Sequence, residues 1–135
     1  MPPGRLCSFR RSFQPDLDAP TAARRTLDDF RFQVDADVLE RSGLALTEVV
    51  TNSVTHARLR APEVIDLQVW VLPALLRIEV TDNGPGFNPA VVRTKPDNVA
   101  RHGWGLWIVD RLTDRWGVDF SHSTRVWMEF DRRSR

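Results

Sequence analysis

Two runs, VIDLQVWVL from Val64 and LLRIEV ending at Val80, alternate apolar and polar residues with only Pro73 and Ala74 between them. A period of two across adjacent runs reads as a strand pair. In the second run Ile78 and Val80 alternate with Glu79 and Thr81, as in a half-buried strand, so Asp82, Gly84 and Gly86 fall where that strand ends. Taken alone, Asn83-Gly84-Pro85-Gly86 fits plain turn chemistry as well as it fits a function. The rest of the chain decides.

Upstream, LCSFRRSF alternates weakly as an opening strand, and QPDLDAP breaks it. From Thr21 to Val34 the spacing of Ala22, Leu27, Phe30 and Val34 predicts an amphipathic helix. A second helix follows, capped by Asp35 or Asp37, with Leu39, Leu46, Val49, Val50, Ser53 and Ala57 on one face and Glu48 and Asn52 opposite. Arg60-Ala61-Pro62 ends it. The polar stretch from about residue 87 to 102 is longer than most connections and is expected to be a lid or binding loop. A third helix, GLWIVDRLTDRW, starts after Gly103-Trp104-Gly105, and VDFSHS and TRVWMEF read as a closing strand pair. No repeat, low-complexity tract or interior boundary interrupts residues 1–135, so one domain is expected, with 131–135 a solvated tail.

At 135 residues such a domain buries a core without disulfides, and the single cysteine, Cys7, excludes an internal one. No apolar run is long enough to span a bilayer, and MPPGRLCSFRRSF lacks the apolar centre of a secretion signal, so no membrane association and a cytoplasmic location are expected. Nineteen basic and eighteen acidic residues leave a charge of +1, which argues against direct nucleic-acid binding. Nearly all the positive charge is arginine, with Lys95 the sole lysine. His56, His102 and His122 are too scattered to suggest a metal cluster.

Three features line up in order: a helix bearing ALTEVVTNSVTHA, a strand ending in DNGPG, and a loop closing on HGWGLWIV. Glu48 and Asn52 stand four apart and share a helical face, which fits either a solvated polar face or a pair with chemistry. In the second case the Asn52 amide oxygen suits Mg²⁺, which keeps several waters and takes other ligands from phosphates, and Glu48 can accept a proton from an attacking hydroxyl. Gly103 and Gly105 flank a helix start, where backbone N–H groups attract anions. Neither the GxxxxGK[ST] nor the GxGxxG phosphate loop occurs. The Asp82 carboxylate can accept from the exocyclic amine of adenine while Gly84 and Gly86 let the ring pack close.

Together these residues resemble the ATPase superfamily shared by gyrase, histidine kinases, certain chaperones and mismatch-repair proteins. Glu48 to Asn52 is similar to its N box, Asp82 to Gly86 to its first glycine box, and Gly103 to Leu106 to its second. Thr124 resembles the threonine that completes its adenine pocket. The resemblance runs from the first strand to Phe130 and implies ATP and Mg²⁺ as ligands. The implied fold is a two-layer α/β (α+β) sandwich, with a mixed, mostly antiparallel sheet and helices on one face. Within the superfamily GLWIVDRLTDRWGV looks most like the anti-sigma-factor serine/threonine kinases of the RsbW and SpoIIAB kind. That likeness implies a homodimer that binds a sigma factor and phosphorylates an anti-anti-sigma (STAS) partner. Thr55 stands where many N boxes carry a basic or amide side chain, and Ser123 replaces a usual glycine. Two other readings stay open: an ATP-dependent binding module that transfers no phosphate, and a histidine-kinase-like catalytic domain acting on another chain.

Overall fold

The alternating runs do form strands, and their register decides where the core lies. In the computed structural model, residues 7–56, 64–82, 104–120 and 123–132 are described. Strands β1 (Cys7–Phe13), β2 (Ile65–Val71), β3 (Leu75–Asp82), β4 (Arg115–Phe120) and β5 (Thr124–Asp131) make one sheet in the order β1-β2-β3-β5-β4. All its pairings are antiparallel, so the parallel component of a mixed sheet does not occur among the described residues. Buried side chains stand in cross-strand rows: Leu67 opposite Val80, itself opposite Val126, and Val69 opposite Ile78, itself opposite Met128. Successive strand residues point to opposite faces, so these rows put the buried aliphatic side chains of the strands on one side.

That side is covered by α1 (Ala19–Thr26), α2 (Ala36–His56) and α3 (Trp104–Leu112), whose inward residues join the strands in one core cluster. The result is the expected two-layer α+β sandwich. Each large aliphatic or aromatic side chain taken fully out of water here contributes about 1.5–3 kcal/mol. No described helix is long and apolar enough to cross a membrane.

The helices differ from the sequence pattern at their ends. The helix expected from Thr21 to Val34 begins earlier, at Ala19, with Pro20 in its first turn, and its α-helical part stops at Thr26. Leu27–Phe30 continues as a 3-10 turn. Leu27 and Phe30 are three apart and both buried, a spacing that suits the 3-10 repeat as well as the α-helical one. The aspartates between them are poor formers of helix interiors. α2 opens right after Asp35, whose carbonyl accepts from the Leu39 N–H at 3.0 Å, so Asp35 fills the cap position and Asp37 lies in the first turn. The proposed end of α2 and Ala57 lie outside the described residues. Arg24 of α1 lies across Gly43 of α2, where an added Cβ would come within 3.1 Å of the arginine Nε.

The third helix is shorter than GLWIVDRLTDRW implies. It stops at Leu112, and Trp116 belongs instead to β4, which begins three residues before the expected VDFSHS run. The Thr113 N–H and hydroxyl both donate to the Val109 carbonyl, at 3.0 and 2.9 Å. The Asp114 N–H then donates to the Glu129 carbonyl, so pairing with β5 captures the chain. Trp116 is buried, and its indole N–H donates to Asp110 at 2.7 Å.

The outer face of the sheet has no helix against it among the described residues and is polar. Arg77 bonds both Glu79 (2.8 Å) and Glu129 (2.7 Å), and its guanidinium lies 4.9 Å from the Trp127 ring. Arg115 bridges Glu129 and Asp131, and Arg125 pairs with Asp119. The planar guanidinium suits this forked bonding better than an ammonium does.

Trp127 also covers Gly117, where a Cβ would sit 2.7 Å from three ring atoms. Gly117→Ala should therefore overpack the outer face and cost about 1–3 kcal/mol in a denaturant melt; an unchanged midpoint would show that the ring yields freely. Glu129 gives a second prediction. Burial raises its pKa, the hydrogen bonds from Arg115 and Arg77 lower it, and lowering wins. A carboxyl depressed in the folded state stabilises the fold above its unfolded pKa, and that contribution is lost as pH falls through the folded value. Stability should decline on acidification below about pH 4.5, and Glu129→Gln should reduce the decline. Melts across acidic pH check this, and equal slopes for the two proteins would contradict it.

Candidate functional site

α2 carries three residues that bear on a site, and its buried stripe sets where they stand. Val38, Ser42, Ala45, Leu46, Val49, Val50 and Ser53 are all buried. One turn back along the helix, Glu48 neighbours the buried Ala45 and Asn52 the buried Val49. Both are half-buried, at the margin of the stripe rather than opposite it as the sequence pattern suggested. They remain one turn apart on a common side of the helix.

Ser53 is the polar residue at the end of that stripe. Its hydroxyl donates to Asp82 Oδ2 at 2.6 Å. Asp82 is the last residue of β3, directly opposite Thr124, the first residue of β5. Ser53 and Thr124 are each 5% exposed and Asp82 7%. The alternation that sends Leu76, Ile78 and Val80 toward the helices sends Asp82 the same way. The apolar rows of the inner face thus end in three polar side chains. A buried carboxylate is costly unless hydrogen-bonded, and a hydrogen bond to a charged group contributes about 1.5–3 kcal/mol.

The second glycine region is placed by α3. Gly105 lies in its first turn, and Leu106 and Val109 are buried in the core. The far end of α3 is fastened to α2, because Arg41 Nη1 donates to the Leu112 carbonyl at 3.1 Å. A cation at a helix C-terminus satisfies an orphan carbonyl and opposes the negative end of the dipole. Gly84, Gly86, Gly103 and the lid expected over 87–102 lie outside the described residues.

The described structure therefore joins Asp82 with Thr124 and sets Glu48 and Asn52 on the helix that reaches them. Sequence reasoning placed Ser53 in the core and missed its bond to the carboxylate. The available signal was a hydroxyl on an apolar stripe, since a buried polar group must find a partner. Arg41 offered no comparable signal. Among the described residues no group of three or more His, Cys, Asp and Glu side chains could hold a metal. A divalent cation here would draw on an amide such as that of Asn52, with phosphate and water as its other ligands, which fits the coordination habit of Mg²⁺.

A family model for the histidine kinase-like ATPase domain matches residues 13–130. Among solved structures, the RsbU and RsbW domains of Rv1364c from Mycobacterium tuberculosis match with a TM-score of 0.71 at 15% identity, over 93% of this chain and 32% of that one. The histidine kinase domain of the blue-light activated histidine kinase EL346 from Erythrobacter litoralis matches with a TM-score of 0.57 at 22% identity, over 84% and 59% of the two chains. At these identities the likeness concerns the fold, and the chain spans only part of either neighbour. No curated protein matches significantly.

Proposed function

The chain belongs to the histidine kinase-like ATPase domain family, and from that premise we propose that it binds Mg-ATP and phosphorylates a serine or threonine of a protein partner. The observation that carries this reading is the buried Asp82 carboxylate, held by Ser53 and paired across the sheet with Thr124 where the apolar inner face ends. Such a surface suits a flat heterocycle with one hydrogen-bonding edge. An ionised carboxylate accepts only, so it selects the amine of adenine over the carbonyl of guanine. Thr124 completes the polar edge, and Gly84 and Gly86 permit close approach of the base.

Asn52 would hold the metal, and Gly103, Gly105 and Leu106, at the start of α3, would cradle the phosphates. When bound, Mg²⁺ neutralises charge on the transferring phosphoryl group. Glu48, one turn before Asn52, accepts the proton of the attacking hydroxyl. Its half-buried position leaves it able to serve a second protein.

The partner-switching role follows from the resemblance to anti-sigma kinases and is supported by the RsbW domain named in the first structural neighbour. In this reading residues 1–135 form one domain, working as a homodimer that binds a sigma factor and phosphorylates a STAS-type antagonist. A module that binds ATP without transferring phosphate shares every step but the last, and labelled ATP with the cognate partner separates the two.

ATP should bind with Mg²⁺ and GTP should not; equal calorimetric affinities would remove Asp82 from the base site. Glu48→Gln should keep nucleotide binding while phosphotransfer falls by roughly 10²–10⁴. Asn52→Ala should lose Mg-dependent affinity and transfer together. If both residues are merely solvated helix surface, each change shifts stability by no more than about 0.5 kcal/mol and leaves nucleotide binding intact.

A further inference from the structure

α2 and α3 run in opposite directions over the sheet. α2 starts just past the Gln33 carbonyl, which accepts from Arg132 at the far end of β5, and it carries Ser53 to Asp82 at the other end of the sheet. α3 ends at the far end too, because Asp114, two residues after Leu112, donates to the Glu129 carbonyl of β5. Packed along α2 and sharing its core through Leu106 and Val109, α3 therefore has its first turn about 12 Å back toward Ser53, at 1.5 Å per residue.

Arg41 joins the two helices where α3 ends, donating Nη1 to the Leu112 carbonyl at 3.1 Å. Glu48 and Asn52 follow Arg41 by seven and eleven residues, close to two and three helical turns, so all three share one side of α2. The bond of Arg41 identifies that side as the one facing α3. Glu48 and Asn52 stand about 10 and 16 Å along α2 from Arg41, so the first turn of α3 comes level with the segment between them. Other contacts hold α3 to the sheet: Leu106 and Val109 are buried, and Asp110 accepts from Trp116 of β4. Apolar packing is non-directional, and shifts of about 1–2 Å between packed helices are an ordinary scale of movement. A hydrogen bond to a terminal carbonyl has a narrow range of length and limits such a slide.

From this we infer that Arg41 is a positioning residue: through the Leu112 carbonyl it sets the place of α3 along α2, and with it the span from the start of α3 to Asn52. The inference rests on the reading of Asn52 as the metal ligand and of the α3 start as the phosphate cradle. A triphosphate alone is flexible and follows α3 when the helix shifts. Joining it to Asn52 through Mg²⁺ requires a set span, so loss of the Arg41 bond penalises the metal-dependent part of binding.

The test measures ATP affinity by calorimetry on the full chain, once with Mg²⁺ and once with EDTA, and takes the ratio as the gain from the metal. The parent protein should gain about 10-fold or more, within the usual range of coupling between two ligands. Arg41→Met keeps an unbranched stem without donors and should reduce the gain to within about 3-fold, while ATP in EDTA binds almost as before. A partly unfolded variant weakens both measurements by the same factor and leaves the ratio unchanged, so a merely structural role does not move this readout. Circular dichroism confirms that the variant is folded. Should Arg41→Met fail to fold, Arg41→Gln, whose amide is too short to reach the carbonyl, should show the same reduced gain. No gain in the parent protein would overturn the Asn52 reading and the inference together. A parent gain that survives unchanged in the folded variant would overturn the role of Arg41 alone, as would equal weakening with and without the metal.

Discussion

Burial of one side of α2 is the constraint from which most of this structure follows. The helix packs against α1, α3, β3 and β5, and its inward stripe holds Val38, Leu46, Val49 and Val50 almost wholly out of water. A helix fixed so closely cannot turn about its axis without lifting several of these side chains out of the core. Interiors packed at crystal-like density resist such rotation. The orientation of Glu48 and Asn52 is therefore set by their apolar neighbours. Whatever those two side chains do, their placement is determined by residues of the core rather than by one another.

The two faces of the sheet are stabilised in different ways. The inner face relies on apolar rows closed at one end by Ser53, Asp82 and Thr124. The outer face relies on a lattice in which Arg77, Arg115 and Arg125 each meet carboxylates of neighbouring strands. Isolated surface pairs contribute little, and a network of forked arginines contributes more. The lattice also answers a question raised by composition, because several of the abundant arginines have defined partners on β3 and β5.

The legibility of the sequence followed the uniqueness of each physical signal. Strict alternation along Ile65–Val71 and Leu75–Asp82 admits only a strand, and both strands appear where expected. Leu27 and Phe30 satisfy α and 3-10 spacing alike, so the end of α1 was not readable. Trp116 sits four residues after Leu112, a helical interval, but its partner in the register is Met128, far along the chain. Such a long-range pairing leaves no mark on a local window. Asp82 and Thr124 were singled out by likeness to a motif and prove to be partners in the register, whereas the bond of Ser53 was hidden because its partner is 29 residues away.

The sheet order has a consequence for synthesis. β5 is the last described strand in sequence, yet it lies between β3 and β4 in the sheet. While the chain is being made, β1, β2 and β3 can pair in succession as they emerge, but β3 and β4 both lack their shared neighbour until Thr124–Asp131 has been added. The Thr124 position opposite Asp82 is filled at that same late stage. Domains dominated by such non-local pairings fold slowly and expose strand edges in the interval. A nascent chain stopped short of β5 would thus present unsatisfied strand edges rather than a smaller version of the domain, which makes the arrival of β5 the step that commits this fold.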